Sequence, residues 1–419
     1  MLVVTANWAI PDGSVAALPR AALHARLIDD IRRTAVRAGM RHDGRYRPIE
    51  RLVVVLAGDT IDGLVSGRWT GDVRPWERGR RVTARHEEVF RAAARHAGRP
   101  LAALTRLARR GVVVPATDRR GRPVVGARIV VPVHLVILAG DRDAAFERLH
   151  GRAWSERRGI GIGSVWNGEG FAVTHGAACD PLTAGGDRPT LLESLAVDLL
   201  ARFGATLAER AGVADAGRRI VRNLADGQPF DMPLRLSAAL RAITQEGSDA
   251  DWITAAWHRS VDRWDRAARR AGCGNGHDEV AAIASWMHAL GDGAATRTAA
   301  RTVVAALAAS LPAAASRQRG HRLTVLGHPA TSIDTAGGHV VCLGAPSMRP
   351  CAERAVHGPV TGGVSCIETA PVVWPTRFPA VAIPEADEGG GHGAAWWPLW
   401  DVDAPRAGRS EREPILEAA

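Results

Sequence analysis

Four short runs of apolar, largely β-branched residues in this 419-residue chain each lead into a residue able to bind a divalent cation. Leu52 to Ala57 runs into Gly58-Asp59-Thr60-Ile61-Asp62, and His134 to Ala139 runs into Gly140-Asp141-Arg142-Asp143. Phe171 to Val173 is followed by Thr174-His175-Gly176, and Leu323 to Leu326 by Gly327-His328. Each run has the length of a strand and is stopped by glycine or a polar residue. In open α/β sheets, ligands bind outside the carboxyl ends of the strands, where loops converge on a rigid scaffold. Asp59, Asp141, His175 and His328 are therefore expected to meet at one rim. Two carboxylates and two imidazoles make a mixed oxygen and nitrogen donor set, which suits one divalent Mn, Fe or Zn better than Ca or Mg.

The elements that must carry these residues are legible in the same way. Leu2 to Val4 and Val340 to Leu343 are two weaker strand candidates, and Ala21 to Ala38 and Arg81 to Arg110 carry apolar residues at helical spacing. Strand, helix, strand predicts a layered α/β core. Apolar pairs on either side of Asp118-Arg119-Arg120-Gly121-Arg122-Pro123 predict a β-hairpin over Gly111 to Val133. From Thr190 to about Ser316 the chain reads as helix, with Ile253, Ala256, Trp257, Val261 and Trp264 on one face beside Trp252. Gly159-Ile160-Gly161-Ile162-Gly163-Ser164 reads as a mobile loop or hairpin, since no strand precedes it and no helix follows to make a dinucleotide turn. Beyond Pro371 we expect an irregular tail, anchored by Trp396-Trp397-Pro398-Leu399-Trp400 and ending in disorder from Arg406 to Ala419.

Taken in order, Gly58-Asp59-x-x-Asp62, Gly140-Asp141-Arg142-Asp143, His175-Gly176 and Gly327-His328 resemble the calcineurin-like metallophosphoesterase superfamily, over about half of the chain. The resemblance implies a four-layer αββα sandwich. Residues 1–185 and 319–370 would form its core, 186–318 an inserted helical cap, and 371–419 the tail. It also implies a metal-dependent hydrolase of phosphomonoester, phosphodiester or pyrophosphate bonds. Asp59 stands at the family's metal-bridging aspartate; Asp141, where the family usually has asparagine, belongs with His175 and His328 to the second metal site. Gly344 matches the glycine after the family's last core strand.

The departures from the pattern carry as much information. Where the family begins with D-x-H, this chain has Ala6 and Trp8, and where the family ends with G-H-x-H the final histidine is Ala330. The private ligands of one metal site are thus missing, which implies a single metal. Asn7 and Asp12 are nearby oxygen donors but lack the family spacing. Arg142 replaces the histidine that protonates the leaving group, so the catalytic residues implied are Arg142, Asp143 and Asp62. A guanidinium there could clamp a phosphate oxygen or form a structural ion pair with Asp143 or Asp62. The competing reading is an impaired enzyme that reuses the fold to hold a polyanion or a protein partner.

All 54 basic residues are arginine, and the formal net charge is +10. Such a surface favours anionic phosphorylated ligands and admits nucleic acid, although the arginines are dispersed and also fit a compositional bias. Five cysteines without C-x-x-C spacing predict free thiols. The longest apolar stretch, Thr302 to Ala315, is broken by Pro312 and is too short for the roughly 20 residues of a membrane span. With no basic leader ahead of Leu2, the sequence predicts a cytoplasmic protein without a transmembrane segment.

Overall fold

A computed structural model describes residues 1–6, 8–16, most of 29–41, 43–145, 159–168, 171–176, 188–210, 250–273 and 277–291, with short strands at 323–326, 339–342, 366–368, 380–383 and 397–398. Val- and Leu-rich segments form the first sheet because both of its faces are covered. Four of its strands, β1 (Leu2–Thr5), β2 (Leu52–Ala57), β5 (Val133–Leu138) and β6 (Ile160–Gly163), run parallel. Side chains alternate between the two faces. Val3, Leu52, Val54, Leu56, Leu135 and Ile137 pack against helical residues such as Ile31, Leu101 and Leu104. Leu2, Val4, Val55, Ala57, Val136 and Leu138 pack against Val173 and Trp166 of a second sheet.

That second sheet contains β7 (Val165–Gly168), β8 (Phe171–Thr174), β9 (Leu323–Leu326), β10 (His339–Cys342) and β11 (Cys366–Glu368). Its strands run parallel except at the β7–β8 hairpin. The protein is therefore α/β, with two largely parallel sheets in contact and helices on the far face of the first. The predicted hairpin is present as β3 (Val112–Thr117) and β4 (Pro123–Val131), joined by a turn in which Asp118 accepts the amides of Arg120 and Arg122.

Two expectations are corrected. Ile160–Gly163 is neither loop nor hairpin but the edge strand β6, paired parallel with β5 along Leu135↔Ile160 to Leu138↔Gly163. Gly161 spares a tight contact there, since a Cβ on it would come within 3.3 Å of Val136. The region beyond Pro371 is not wholly irregular either. Here β12 (Ala380–Ile383) pairs antiparallel with β1, and β13 (Trp397–Pro398) pairs with β12. A strand edge on β1 supplies the hydrogen-bond partners that local composition could not reveal.

Helices α1 (Arg80–His96) and α2 (Gly98–Arg110) lie between β2 and the hairpin. The later helices are α3 (Leu191–Ser194), running through a π-helical stretch Leu195–Ala201 into α4 (Arg202–Ala208), then α5 (Ala250–Ala271) and α6 (His277–Gly291). Trp257 and Trp264 are buried along α5; their indole N–H groups donate to the Met287 carbonyl at 2.8 Å and the Ser194 hydroxyl at 2.9 Å. The same core takes in Val15, Leu64, Val65, Trp69 and Val73 from the loops after β1 and β2. These helices therefore rest on the loops at the carboxyl ends of the first sheet's strands.

Candidate metal centre

The strand β2 delivers Asp59 in an uncommon backbone state. Gly58 has φ 91° and Asp59 itself φ 51°, in the left-handed region that a non-glycine residue occupies only under constraint. Neighbouring loops supply that constraint. Ala9 N–H donates to the Asp59 carbonyl at 2.6 Å, Ile10 N–H to the Thr60 carbonyl at 3.1 Å, and Asp62 N–H to the Ile10 carbonyl at 2.9 Å. Across the sheet, the Asp143 carboxylate accepts the amides of Gly140, Thr60 and Ile61 at 2.6, 2.8 and 3.3 Å. Asp143 thus ties the loop bearing Asp141 to the loop bearing Asp59. Burial, with the charge of Asp59 beside it, raises its pKa to about 7, against the pull of the Gly140 and Ile61 amides and of His175.

Asp59, Asp141 and His175 come together from the ends of β2, β5 and β8, each offering one ligand atom within 4.8 Å of the others. His175 Nε2 is hydrogen-bonded to Asp141 Oδ1 and lies 3.7 Å from Asp59 Oδ2. The other ring nitrogen, Nδ1, donates to the Ala57 carbonyl at 3.1 Å. Two glycines make this approach possible. A Cβ at Gly58 would stand 2.1 Å from His175 Nδ1, and one at Gly140 would stand 2.2 Å from Asp59 Oδ1.

The arrangement fits a divalent ion by its donor set. Ligand atoms of a tetrahedral ion with bonds of ~2.1 Å sit ~3.4 Å apart, close to the Nε2–Oδ2 separation here. A backbone carbonyl on Nδ1 fixes the tautomer that presents Nε2 to a metal, as is usual for ligating histidines. Without a metal, Nε2 must carry a proton to face two carboxylates. Burial alone would push the imidazolium down, but the charges of Asp59 and Asp141 and the hydrogen bonds to Asp141 and Ala57 together raise its pKa to about 10. A cation entering this group would therefore exchange for a proton.

Arg142 borders the group with its side chain 13% exposed. Its Nη1 lies 3.0 Å from Asp62 Oδ2, its Nε 3.7 Å from Asp59 Oδ2, and its backbone N–H donates to Asp59 Oδ1 at 3.0 Å. Asp62 in turn accepts the amides of Leu64 and Val65 through Oδ1. Of the two ion-pair partners expected for Arg142, Asp62 is the one observed, and Asp59 is added to it.

Three of the four predicted ligands thus share one point, while His328 lies outside the described residues, as do Asn7, Gly327, Ala330 and Gly344. Ala6 and Trp8 are buried and apolar, and the Trp8 indole donates to Thr5 Oγ1 at 3.2 Å. Asp12 is not among the clustered ligands; its carboxylate accepts from Ser14, Ser66 and Arg68 at 2.5 to 3.1 Å. Sequence reasoning missed the Ala57 carbonyl and the Thr60 hydroxyl, which is buried with no hydrogen-bond partner among the described residues. Neither had a signal, since a backbone acceptor has no residue type and threonine is common beside aspartate.

Fold and site together define an α/β protein with a buried carboxylate and imidazole cluster, able to hold a metal ion, at the carboxyl ends of its strands. No family model, no curated protein and no solved structure matches the chain. Among the described residues, no helix is long and apolar enough to cross a membrane.

Proposed function

We propose that this chain is a divergent calcineurin-like metallophosphoesterase, with the four-layer fold of that superfamily, that hydrolyses a phosphomonoester, phosphodiester or pyrophosphate bond using one metal. The observation that carries the reading is the convergence of Asp59, Asp141 and His175 from three separate strand ends. These residues would hold Mn, Fe or Zn, with His328 as a fourth ligand. Such an ion supplies Lewis acidity towards a phosphoryl oxygen and a water of lowered pKa.

The chain's own groups do the rest. Asp62, anchored by two backbone amides, orients the Arg142 guanidinium at the border of the cluster. From there Arg142 contacts a non-bridging phosphate oxygen and offsets developing negative charge. Asp143 keeps the two ligand-bearing loops in register, which limits the motion of Asp59 relative to Asp141. The helices resting on the loops after β1 and β2 form the wall against which a substrate is selected.

The test is metal content after loading with Mn²⁺ or Zn²⁺, measured with hydrolysis of an aryl phosphodiester, for wild type, Asp59→Ala and His175→Ala. Stoichiometric metal and turnover, both lost in the variants, are expected; a protein that takes up no metal and turns over nothing refutes the reading. One observation favours the alternative, an impaired enzyme that binds an anionic ligand without turnover. Ala6 and Trp8 bury hydrocarbon where a second metal's ligands would stand. Metal uptake with phosphate binding and no turnover would select that alternative.

A further inference from the structure

The β3–β4 hairpin carries a surface that the metal centre does not use. Val125 is 86% exposed, Val130 61%, Met40 48% and Ile129 39%, and among the described residues only Val165 joins them as an exposed large hydrophobic side chain. Among the described residues, the exposed large hydrophobic side chains are thus concentrated on β4 and on the loop beside it. That loop and the hairpin turn form one unit: Tyr46 N–H donates to the Gly121 carbonyl at 2.6 Å, and Thr117 Oγ1 donates to the Tyr46 carbonyl at 2.8 Å.

On the same hairpin and loop, positive charge predominates. Arg119, Arg120 and Arg122 stand exposed in the turn, Arg128 on β4, and Arg45 and Arg47 on the loop. Two of the acids there, Asp43 and Asp118, each accept backbone amides of their own turns. With Arg51 and Glu50 at the end of the loop, seven exposed arginines stand against three exposed acids, a net positive charge on the same hairpin and loop as the aliphatic side chains.

We propose that this hairpin and loop form a peripheral attachment site for an anionic lipid bilayer. Aliphatic side chains enter the headgroup and acyl boundary, while guanidinium forks pair with lipid phosphates. A nucleic-acid surface would reward rings for stacking and polar groups for base edges, and Val125, Val130 and Met40 offer neither. A second copy of the chain would bring one net-positive surface against another, which like-charge repulsion opposes.

The topology sets the orientation. The loop leads into the amino end of β2 and the hairpin into the amino end of β5, whereas Asp59 and Asp141 follow the carboxyl ends of the same strands. The six residues of β5 separate the two ends by about 20 Å at roughly 3.3 Å per residue. Attachment would therefore turn the metal centre away from the bilayer, towards a water-soluble substrate.

The experiment is co-sedimentation of the full chain with vesicles of phosphatidylcholine, with and without phosphatidylglycerol. Binding only to the anionic vesicles is expected. The Val125→Ser, Val130→Ser double variant should bind about tenfold more weakly, from loss of buried aliphatic surface. Each of Arg119→Ser, Arg120→Ser and Arg122→Ser should weaken binding about fivefold. All of these sites are exposed, so unchanged melting temperatures should show that the variants fold. Equal binding to neutral vesicles, no binding, or double-variant affinity equal to wild type overturns the proposal. So does a wild-type dimer in sedimentation velocity that Val130→Ser dissociates, or tighter capture of RNA than of vesicles.

Discussion

Gly58→Ala tests the centre more sharply than removal of any ligand, because it leaves every ligand in place. At φ 91° an alanine is strained, and its Cβ would stand 2.1 Å from His175 Nδ1, 2.5 Å from Cγ and 2.9 Å from Cβ. Ordinary carbon contacts need about 3.5 Å, and the clash reaches the root of the side chain, so a rotamer change cannot relieve it. His175 must recede by more than an ångström, which breaks the 3.1 Å hydrogen bond to the Ala57 carbonyl. Gly44→Ala is the control, since Gly44 has φ 77° and nothing within 4 Å of a built Cβ. Backbone strain alone costs about 1–2 kcal/mol, and forcing an extra methyl into a packed site adds about 1–3 kcal/mol. Urea unfolding should therefore show a loss of about 1–2 kcal/mol for Gly44→Ala and about 2–5 kcal/mol for Gly58→Ala. Calorimetric titration with Zn²⁺ should show affinity unchanged in the first and lowered about 10- to 100-fold in the second, as when a ligand's supporting hydrogen bond is lost. Equal stability and equal metal affinity for the two variants would mean that His175 does not pack on Gly58, and the three-ligand geometry would fall with it.

Arg142→Ala should cost about 3–5 kcal/mol by leaving the buried Asp62 carboxylate without its cation, and Arg142→Lys should recover part of this; a loss below about 1 kcal/mol in chemical unfolding would show that the pair is not formed. In metal-free protein, His175 has a folded pKa of about 10 against an ordinary value of 6.5, so the folded state binds the extra proton. The stability it contributes is fully present below pH ~6.5 and is lost as pH rises towards 10. His175→Gln should flatten that fall in a pH series of thermal melts, whereas identical slopes for the two proteins would refute it. Trp257→Ala, which empties a fully buried site on α5 and removes the bond to the Met287 carbonyl, should cost about 3–5 kcal/mol in urea unfolding.

What could be read from residue order was whatever depends on local chemistry. Leu52 to Ala57 and Leu323 to Leu326 coincide with β2 and β9, because buried parallel strands need continuous apolar runs whatever their partners. The α5 face was equally legible: Ile253, Ala256, Trp257, Val261 and Trp264 recur at helical spacing and all are buried. Asp59, Asp141 and His175 could be nominated because each directly follows such a run.

Pairing and steric fit were not legible, because they depend on partners far along the chain. Nothing near Ile160 or Ala380 announces a strand, since the edges that recruit them belong to β5 and β1. That Arg142 pairs with Asp62, 80 residues earlier, could not be read from its place beside Asp141, because only the fold sets the Asp62 carboxylate 3.0 Å from its guanidinium. The glycines of the two G-D pairs were visible as letters, but their reason was not. Gly58 makes room for a histidine 117 residues later, and Gly140 for an aspartate 81 residues earlier. Sequence by itself determined which side chains can carry metal chemistry. Only the tertiary structure decided which of them share a point, because excluded volume and hydrogen-bond partners are properties of neighbours in space.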